Sequence, residues 1–145
     1  MDSCHGNPGL RISLELAGHD QVYEDLAIKF FEHFLYIAQA TTNVGNRGMG
    51  LWDEEDGFFY SGALDLPNGQ VVPLKIRSMV SLTPLFAVET LEPATLAKLP
   101  AFSQQMEWFL NHRPDLASLV SHWNVPGVGE RRLLSLLHGH RMKAF

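Results

Sequence analysis

The sequence has little cysteine and no concentrated positive charge. Cys4 is the one cysteine among 145 residues, so an internal disulfide is excluded and an oxidising compartment is not indicated. The 11 lysines and arginines are outnumbered by 16 aspartates and glutamates, and no run of basic residues occurs. Because nucleic-acid surfaces need clustered cations, we expect no nucleic-acid partner.

The sequence also lacks the apolar runs that membranes and secretion require. No stretch approaches the roughly 20 apolar residues of a transmembrane helix. The first residues, MDSCHGNPGL, contain no basic segment followed by an apolar one. We therefore expect no membrane partner and a cytoplasmic location. A hydrophobic content of 46% against 19% charged residues predicts one folded domain.

Signatures of catalysis and metal binding are missing as well. The serine elbow G-x-S-x-G, the phosphate-binding loop and the zinc motif H-E-x-x-H do not occur, and Cys4 has no second thiol. The acidic stretch GLWDEEDGFFY, residues 50–60, fails as a calcium loop. With Gly57 at the sixth position, Trp52 and Ala63 stand where acidic ligands are needed. We expect no metal and no cofactor.

Helical spacing of apolar residues dominates the chain. Residues 21–41 have two adjacent apolar stripes and a narrow polar face, which predicts a helix covered on more than one side. The first stripe consists of Val22, Leu26, Phe30, Phe34 and Ile37, and the second of Tyr23, Ala27, Phe31, Leu35 and Ala38. Further helices are predicted over residues 77–91, 92–99, 100–113 and 130–143.

One β-hairpin is predicted between these helices, over about residues 58–76. Asn68-Gly69 is a strong turn signal, and Pro73 restricts the returning strand to a sheet edge. Residues 1–9 contain several helix breakers and are interpreted as an unstructured leader, which leaves 10–145 as the domain. The pattern predicts an all-α fold of helical hairpins with one small β insertion.

The acidic stretch raises the question of chemistry, because it combines four consecutive carboxylates with aromatic side chains. Consecutive acids point in different directions, so at most one or two of them can reach one glycosidic bond. The simpler interpretation is that Asp53 or Asp56 caps the turn while Trp52, Phe58 and Tyr60 pack the base of the hairpin. Both interpretations remain open at this level.

Four segments carry a resemblance to a known family: YEDLAIKFFEHFLYIA, GLWDEEDGFFY, PLKIRSMVSLTPLFAVETLE and MEWFLNHRPDL, in this order. Over about residues 10–137 the chain resembles bacterial glucosidases and mannosylglycerate-hydrolase-like enzymes of glycoside hydrolase family 63. The resemblance implies that the helices form part of an (α/α)6 barrel. It also implies hydrolysis of α-linked glucosides or mannosides with inversion, by one general acid and one general base.

Parts of the family's active site have no counterpart in this sequence. The segment S-N-W-R-G-P near the family's base does not occur, its general acid is expected upstream, and Ser61-Gly62 stand where relatives are expected to carry an aspartate. The resemblance therefore implies a glycoside hydrolase fragment without a complete active site, whose catalytic residues are unknown. The residues carried over as candidate substrate contacts are Trp52, Asp53, Glu55, Asp56, Tyr60, Lys75 and Arg77.

Two functions are kept as hypotheses. The first is this hydrolase fragment, with a carbohydrate as its partner, bound weakly or through the complete barrel. The alternative is a non-catalytic helical module that binds a carbohydrate or a protein. In both cases we expect exposed apolar helix faces that allow self-association.

Overall fold

The computed structural model describes residues 8–43, 50–60, 62–120 and 125–136. These residues form the helices α1 (Pro8–His19), α2 (Glu24–Thr42), α3 (Thr83–Phe86), α4 (Pro93–Lys98), α5 (Pro100–His112) and α6 (Pro114–Ala117). They also form the strands β1 (Trp52–Asp53), β2 (Phe58–Phe59), β3 (Ala63–Asp65), β4 (Val71–Pro73), β5 (Val88–Leu91) and β6 (Arg132–Ser135). Short 3₁₀ helices lie at Gln21–Tyr23, Met79–Leu82 and Val128–Glu130. None of the described helices is long and apolar enough to span a membrane.

The core lies between α1, α2 and α5. Phe31 of α2 meets Phe102 and Phe109 of α5 edge to face, with ring centroids 5.5 and 5.9 Å apart. This is a preferred geometry of aromatic pairs. Leu10 of α1 and Leu134 of β6 are fully buried in the same cluster. The helices and the β5–β6 pair therefore share one hydrophobic core.

Two local features place α1 against α2. The side chain of Asp20 accepts a hydrogen bond from the Val22 N–H at 3.0 Å, which caps the 3₁₀ turn leading into α2. At the other end of α1, a Cβ added to Gly9 would lie 2.5 Å from a ring carbon of Phe30. A larger residue at position 9 would therefore require the Phe30 ring to shift.

The two apolar stripes of α2 have different environments. The second stripe is buried from Ala27 to Ala38. The first stripe is buried at Phe34, but Val22, in the 3₁₀ turn before α2, and Ile37 are 79% and 49% exposed. α2 therefore packs against more than one neighbour, namely α1, α5 and α6, while its first stripe keeps a partly open apolar face.

The expected all-α fold is wrong. The described residues are 57% helical and 15% in strands, with three antiparallel two-stranded sheets, β1–β2, β3–β4 and β5–β6. They do not show the paired inner and outer helices of an (α/α)6 barrel. The helix predicted over 77–91 is a 3₁₀ turn, the short α3 and then strand β5. The helix predicted over 130–143 is strand β6 in its described part, and residues 137–143 lie outside the description.

The pairing of β5 with β6 explains these two errors. Glu89 stands opposite Leu134 and Thr90 opposite Leu133 in an antiparallel register. The β-branched residues Val88 and Thr90 favour a strand, and pairing with a partner distant in sequence overrides the helical spacing of the leucines.

The predicted hairpin turn at Asn68-Gly69 is confirmed, since β3 and β4 pair around it with Leu64 opposite Val72. Gly69 has a φ of +80°, which glycine adopts without steric cost. The predicted insertion began at residue 58, so β1 lies outside it. Helix α1 begins at Pro8, within the predicted leader, of which residues 1–7 lie outside the described residues.

Candidate functional site

The ribbon of β1 and β2 carries the acidic stretch and has two different sides. Trp52 stands opposite Phe59, and Asp53 stands opposite Phe58. Because successive side chains of a strand point to opposite sides, the first pair shares one side and the second pair the other. The rings of Trp52 and Phe59 meet edge to face with centroids 4.9 Å apart. We call the side with Trp52 and Phe59 the aromatic side of the ribbon, and the side with Asp53 and Phe58 the acidic side.

The turn between the two strands is organised by Asp53. Its Oδ1 accepts hydrogen bonds from the backbone N–H groups of Glu55 and Asp56 at 3.1 and 2.9 Å. Such side-chain caps are the reason that aspartate favours turns, and Gly57 completes the turn with a φ of +59°. The interpretation of Asp53 as a turn cap is confirmed.

The acidic side of the ribbon is covered by two cations that follow β4. Lys75 Nζ lies 2.8 Å from Asp53 Oδ2 and 2.9 Å from Asp56 Oδ2. The Tyr60 hydroxyl donates to Asp56 Oδ2 at 2.7 Å, and an Arg77 guanidinium nitrogen lies 3.7 Å from Asp56 Oδ1. These five residues form what we call the charged cluster.

Hydrogen bonds in the charged cluster favour the ionised carboxylates. The hydrogen bond from Lys75 holds the pKa of Asp53 below its ordinary value of 3.8. The Tyr60 hydroxyl, and after it Lys75, lower the pKa of Asp56. The two carboxylates in turn raise the pKa of Lys75. Since a general acid needs a raised pKa near the working pH, neither aspartate has the protonation state of a general acid.

The aromatic side of the ribbon borders two adjoining cavities. The smaller one, which we call the polar pocket, has a volume of about 200 Å³ and is lined by Thr41, Thr42, Gly50, Trp52, Glu54, Phe59 and Leu136. The larger one, which we call the apolar groove, has a volume of about 510 Å³. Thr41, Phe59 and Leu136 line both cavities.

The polar pocket offers hydrogen-bonding atoms beside an aromatic ring. The Thr41 hydroxyl donates to the Ala38 carbonyl at 2.8 Å, and the Thr42 hydroxyl donates to the Gln39 carbonyl at 2.9 Å. Both threonine oxygens keep acceptor capacity after these bonds. Together with the Glu54 carboxylate, they provide acceptors for a ligand that carries several hydroxyl groups.

The structure groups five of the seven candidate residues in the charged cluster: Asp53, Asp56, Tyr60, Lys75 and Arg77. Trp52 lies on the opposite side of the ribbon, in the polar pocket, and the exposed Glu55 lines neither cavity. Sequence reasoning missed Glu54 and the two threonines of the pocket. Glu54 lies in the turn after β1, so strand alternation gave no signal for it.

A further carboxylate, Glu89 of β5, is buried away from these cavities. Its Oε1 accepts from the Thr90 N–H at 3.1 Å and lies 3.3 Å from an Arg11 guanidinium nitrogen. Its Oε2 has no hydrogen-bond partner within the described ranges. Burial raises the pKa of Glu89. In the same ranges, no three histidine, cysteine, aspartate or glutamate residues gather as metal ligands.

Comparison with known proteins shows that the chain is similar to a protein whose activity is not known. The chain is 40% identical over 147 aligned positions to an uncharacterized protein of Saccharomyces cerevisiae. The alignment covers 93% of this chain and 13% of the yeast protein, so the chain spans about an eighth of that relative's length. No family model matches the chain, and no solved structure matches it. None of these findings names an activity.

Proposed function

We propose that the chain is the substrate-contacting part of a glycoside hydrolase that acts on α-linked glucosides or mannosides. In this proposal it holds the sugar but lacks a complete catalytic pair. The support comes from the resemblance to glycoside hydrolase family 63 and from the chemistry of the polar pocket. A cytoplasmic location belongs to the same proposal, because a chain with a single cysteine needs no oxidising compartment.

The observation that carries the proposal is the composition of the polar pocket. A sugar ring has apolar C–H faces and a rim of hydroxyl groups. The indole of Trp52 matches such a face, while Glu54 and Thr42 supply acceptors for hydroxyl groups. The pocket volume of about 200 Å³ equals the liquid volume of roughly seven waters, which is enough for one sugar ring.

The charged cluster supports the non-catalytic part of the proposal. An inverting glycosidase needs a protonated acid and a carboxylate base that face each other across the sugar. Asp53 and Asp56 instead bind the same Lys75 ammonium and both have lowered pKa values. Their role in the proposal is to hold the ribbon, and with it Trp52, in position.

A pair of neighbouring glutamates provides a matched test. We expect methyl α-glucoside or methyl α-mannoside to bind with a Kd in the millimolar range, measured by ligand-detected NMR. Glu54→Gln removes a charged acceptor from the pocket and should weaken binding about tenfold. Glu55→Gln makes the same charge change outside both cavities and should alter the Kd less than about twofold. Absence of binding, or equal effects of the two variants, would contradict the proposal.

The second candidate, a non-catalytic module that binds a protein, is favoured by the β3–β4 hairpin. Leu64 and Val72 stand opposite each other there and are 50% and 43% exposed. Exposed apolar pairs of this kind occur at protein-binding surfaces. A purified chain that binds no glucoside or mannoside would favour this candidate over the hydrolase.

A further inference from the structure

The apolar groove has a shape and composition that the sugar proposal leaves unused. The described residues that line it, among them Phe34, Ile37, Phe59, Phe86 and Leu136, include no charged side chain. Its volume of about 510 Å³ lies within the roughly 300–1,000 Å³ of small-molecule sites. Ile37 and Phe86 are both about half exposed or more, so the groove opens to solvent between them.

The groove lies next to the polar pocket. Phe59 and Thr41 line both cavities, so the two cavities adjoin at these residues. Tyr60 is held in place in the wall of the groove, because it is almost fully buried and its hydroxyl donates a hydrogen bond to Asp56 at 2.7 Å. A ligand that entered both cavities would meet hydrogen-bonding groups at one end and apolar surface at the other.

Ser81 adds no accessible polar atom to the groove. The residue is 3% exposed, and its hydroxyl oxygen is buried. The groove therefore suits an apolar group.

We propose that the groove receives the uncharged apolar aglycone of an alkyl or aryl glycoside whose sugar ring lies in the polar pocket. This inference rests on the proposed function, since it places the sugar in the pocket of that proposal. Two adjoining cavities of contrasting polarity match a ligand with one polar and one apolar end. The uncharged lining that the described residues give the groove disfavours an aglycone that is itself an ion.

The test compares methyl α-glucoside, n-hexyl α-glucoside and free 1-hexanol by ligand-detected NMR and calorimetry. Each methylene buried in the groove should tighten binding about fourfold, so the hexyl glucoside should bind at least about tenfold more tightly than the methyl glucoside. Ile37→Glu should reduce this advantage to below about threefold, because it places a charge in the groove. Ile12→Glu, a change of another exposed isoleucine outside the groove, should preserve the advantage.

Each outcome has a definite meaning. If the methyl glucoside binds and the hexyl chain adds no affinity, the inference is overturned while the proposed function stands. If hexanol binds and neither glucoside does, the proposed function fails and the inference fails with it. Phe86→Ser must reproduce the loss seen with Ile37→Glu, which separates a groove effect from misfolding of one variant. A mass that doubles with concentration, is lost in Phe86→Ser and is not reduced by the hexyl glucoside would assign the groove to a second copy and overturn the inference.

Discussion

Lys75 is the residue on which the charged cluster depends, since its ammonium contacts both Asp53 and Asp56. Because both aspartates have folded-state pKa values below 3.8, their contribution to stability is complete above that pH and is lost as the pH falls through the folded values. We expect Lys75→Met to reduce the acid dependence of the free energy of unfolding, measured in urea between about pH 2.5 and 6. Lys98→Met, at an exposed position of α4, is the control. Equal acid dependence in the two variants would exclude the role given to Lys75.

Glu89 should show the opposite pH dependence. Its folded-state pKa is raised above the ordinary 4.5 by burial, so its contribution to stability is complete below pH 4.5 and is lost as the pH rises through the folded value. Glu89→Gln keeps a side-chain oxygen for Arg11 and the Thr90 N–H without the charge. We expect this variant to be more stable than the parent chain at pH 7, with an advantage that shrinks towards pH 4.

A companion variant separates charge from packing at this position. Arg11→Met removes the cation and leaves Glu89 buried without it, which should lower stability at pH 7 because an unpaired buried charge is destabilising. If chemical denaturation shows Glu89→Gln to be less stable than the parent at pH 7, the ionised carboxylate stabilises the fold, which contradicts the destabilising effect expected of it.

The residues of the site could be predicted only in part. The charged cluster could be predicted from the sequence, because the turn signal at Asn68-Gly69 brings the chain after β4 back towards the acidic stretch. The placement of Trp52 and Asp53 on opposite sides of the ribbon could not be predicted, because it depends on β1 being extended. The threonines of the polar pocket come from the end of α2, and only the three-dimensional packing of that helix beside the ribbon reveals them.

At the scale of single elements, α5 begins with a cap from another helix. Its preceding residue, Leu99, offers no side-chain cap, but the Glu24 carboxylate of α2 accepts from the Phe102 N–H at 2.9 Å. We expect Glu24→Ala to lower the free energy of unfolding by about 1–2 kcal/mol, because the cap is buried and leaves a donor unsatisfied when removed. Asp25→Ala, at an exposed neighbouring position in the first turn of α2, should have less than half this effect. If thermal or urea unfolding shows that both variants lose the same free energy of unfolding, the loss comes from helix electrostatics in general and not from the cap.

Whether an element could be predicted depends on the sequence range of the interactions that form it. α2 and α5 were predicted because their apolar periodicity is local and long enough to be unambiguous. β5 and β6 were not, because neither short segment shows what it pairs with, and residues such as Leu133 and Leu134 fit a helix equally well in isolation. The same limitation applies to the open face of α2, because periodicity reveals an apolar face but does not reveal whether a partner covers it.

At the scale of the whole molecule, that open face has a measurable consequence. Val22, Leu26 and Ile37 remain 79%, 40% and 49% exposed. We expect the purified chain to bind a hydrophobic dye and to associate with increasing concentration in light scattering. Replacement of Val22 and Leu26 by serine should reduce both signals, whereas Lys29→Ser, on the polar face of the same helix, should not. A stable monomer that binds no dye would contradict this expectation.

Catalytic activity is also a property of the whole molecule, because it requires an acid and a base on opposite sides of a bound sugar. Loss of either group normally lowers the rate by a factor of about 10²–10⁴. In the charged cluster both aspartates are bound to Lys75, and the chain corresponds to 13% of its yeast relative. We therefore expect no detectable release of monosaccharide from a panel of α-linked glucosides and mannosides, under conditions in which an added α-glucosidase is active. Turnover that disappears in Asp53→Ala or Glu55→Ala would refute the non-catalytic proposal and make the acidic stretch an active site in its own right.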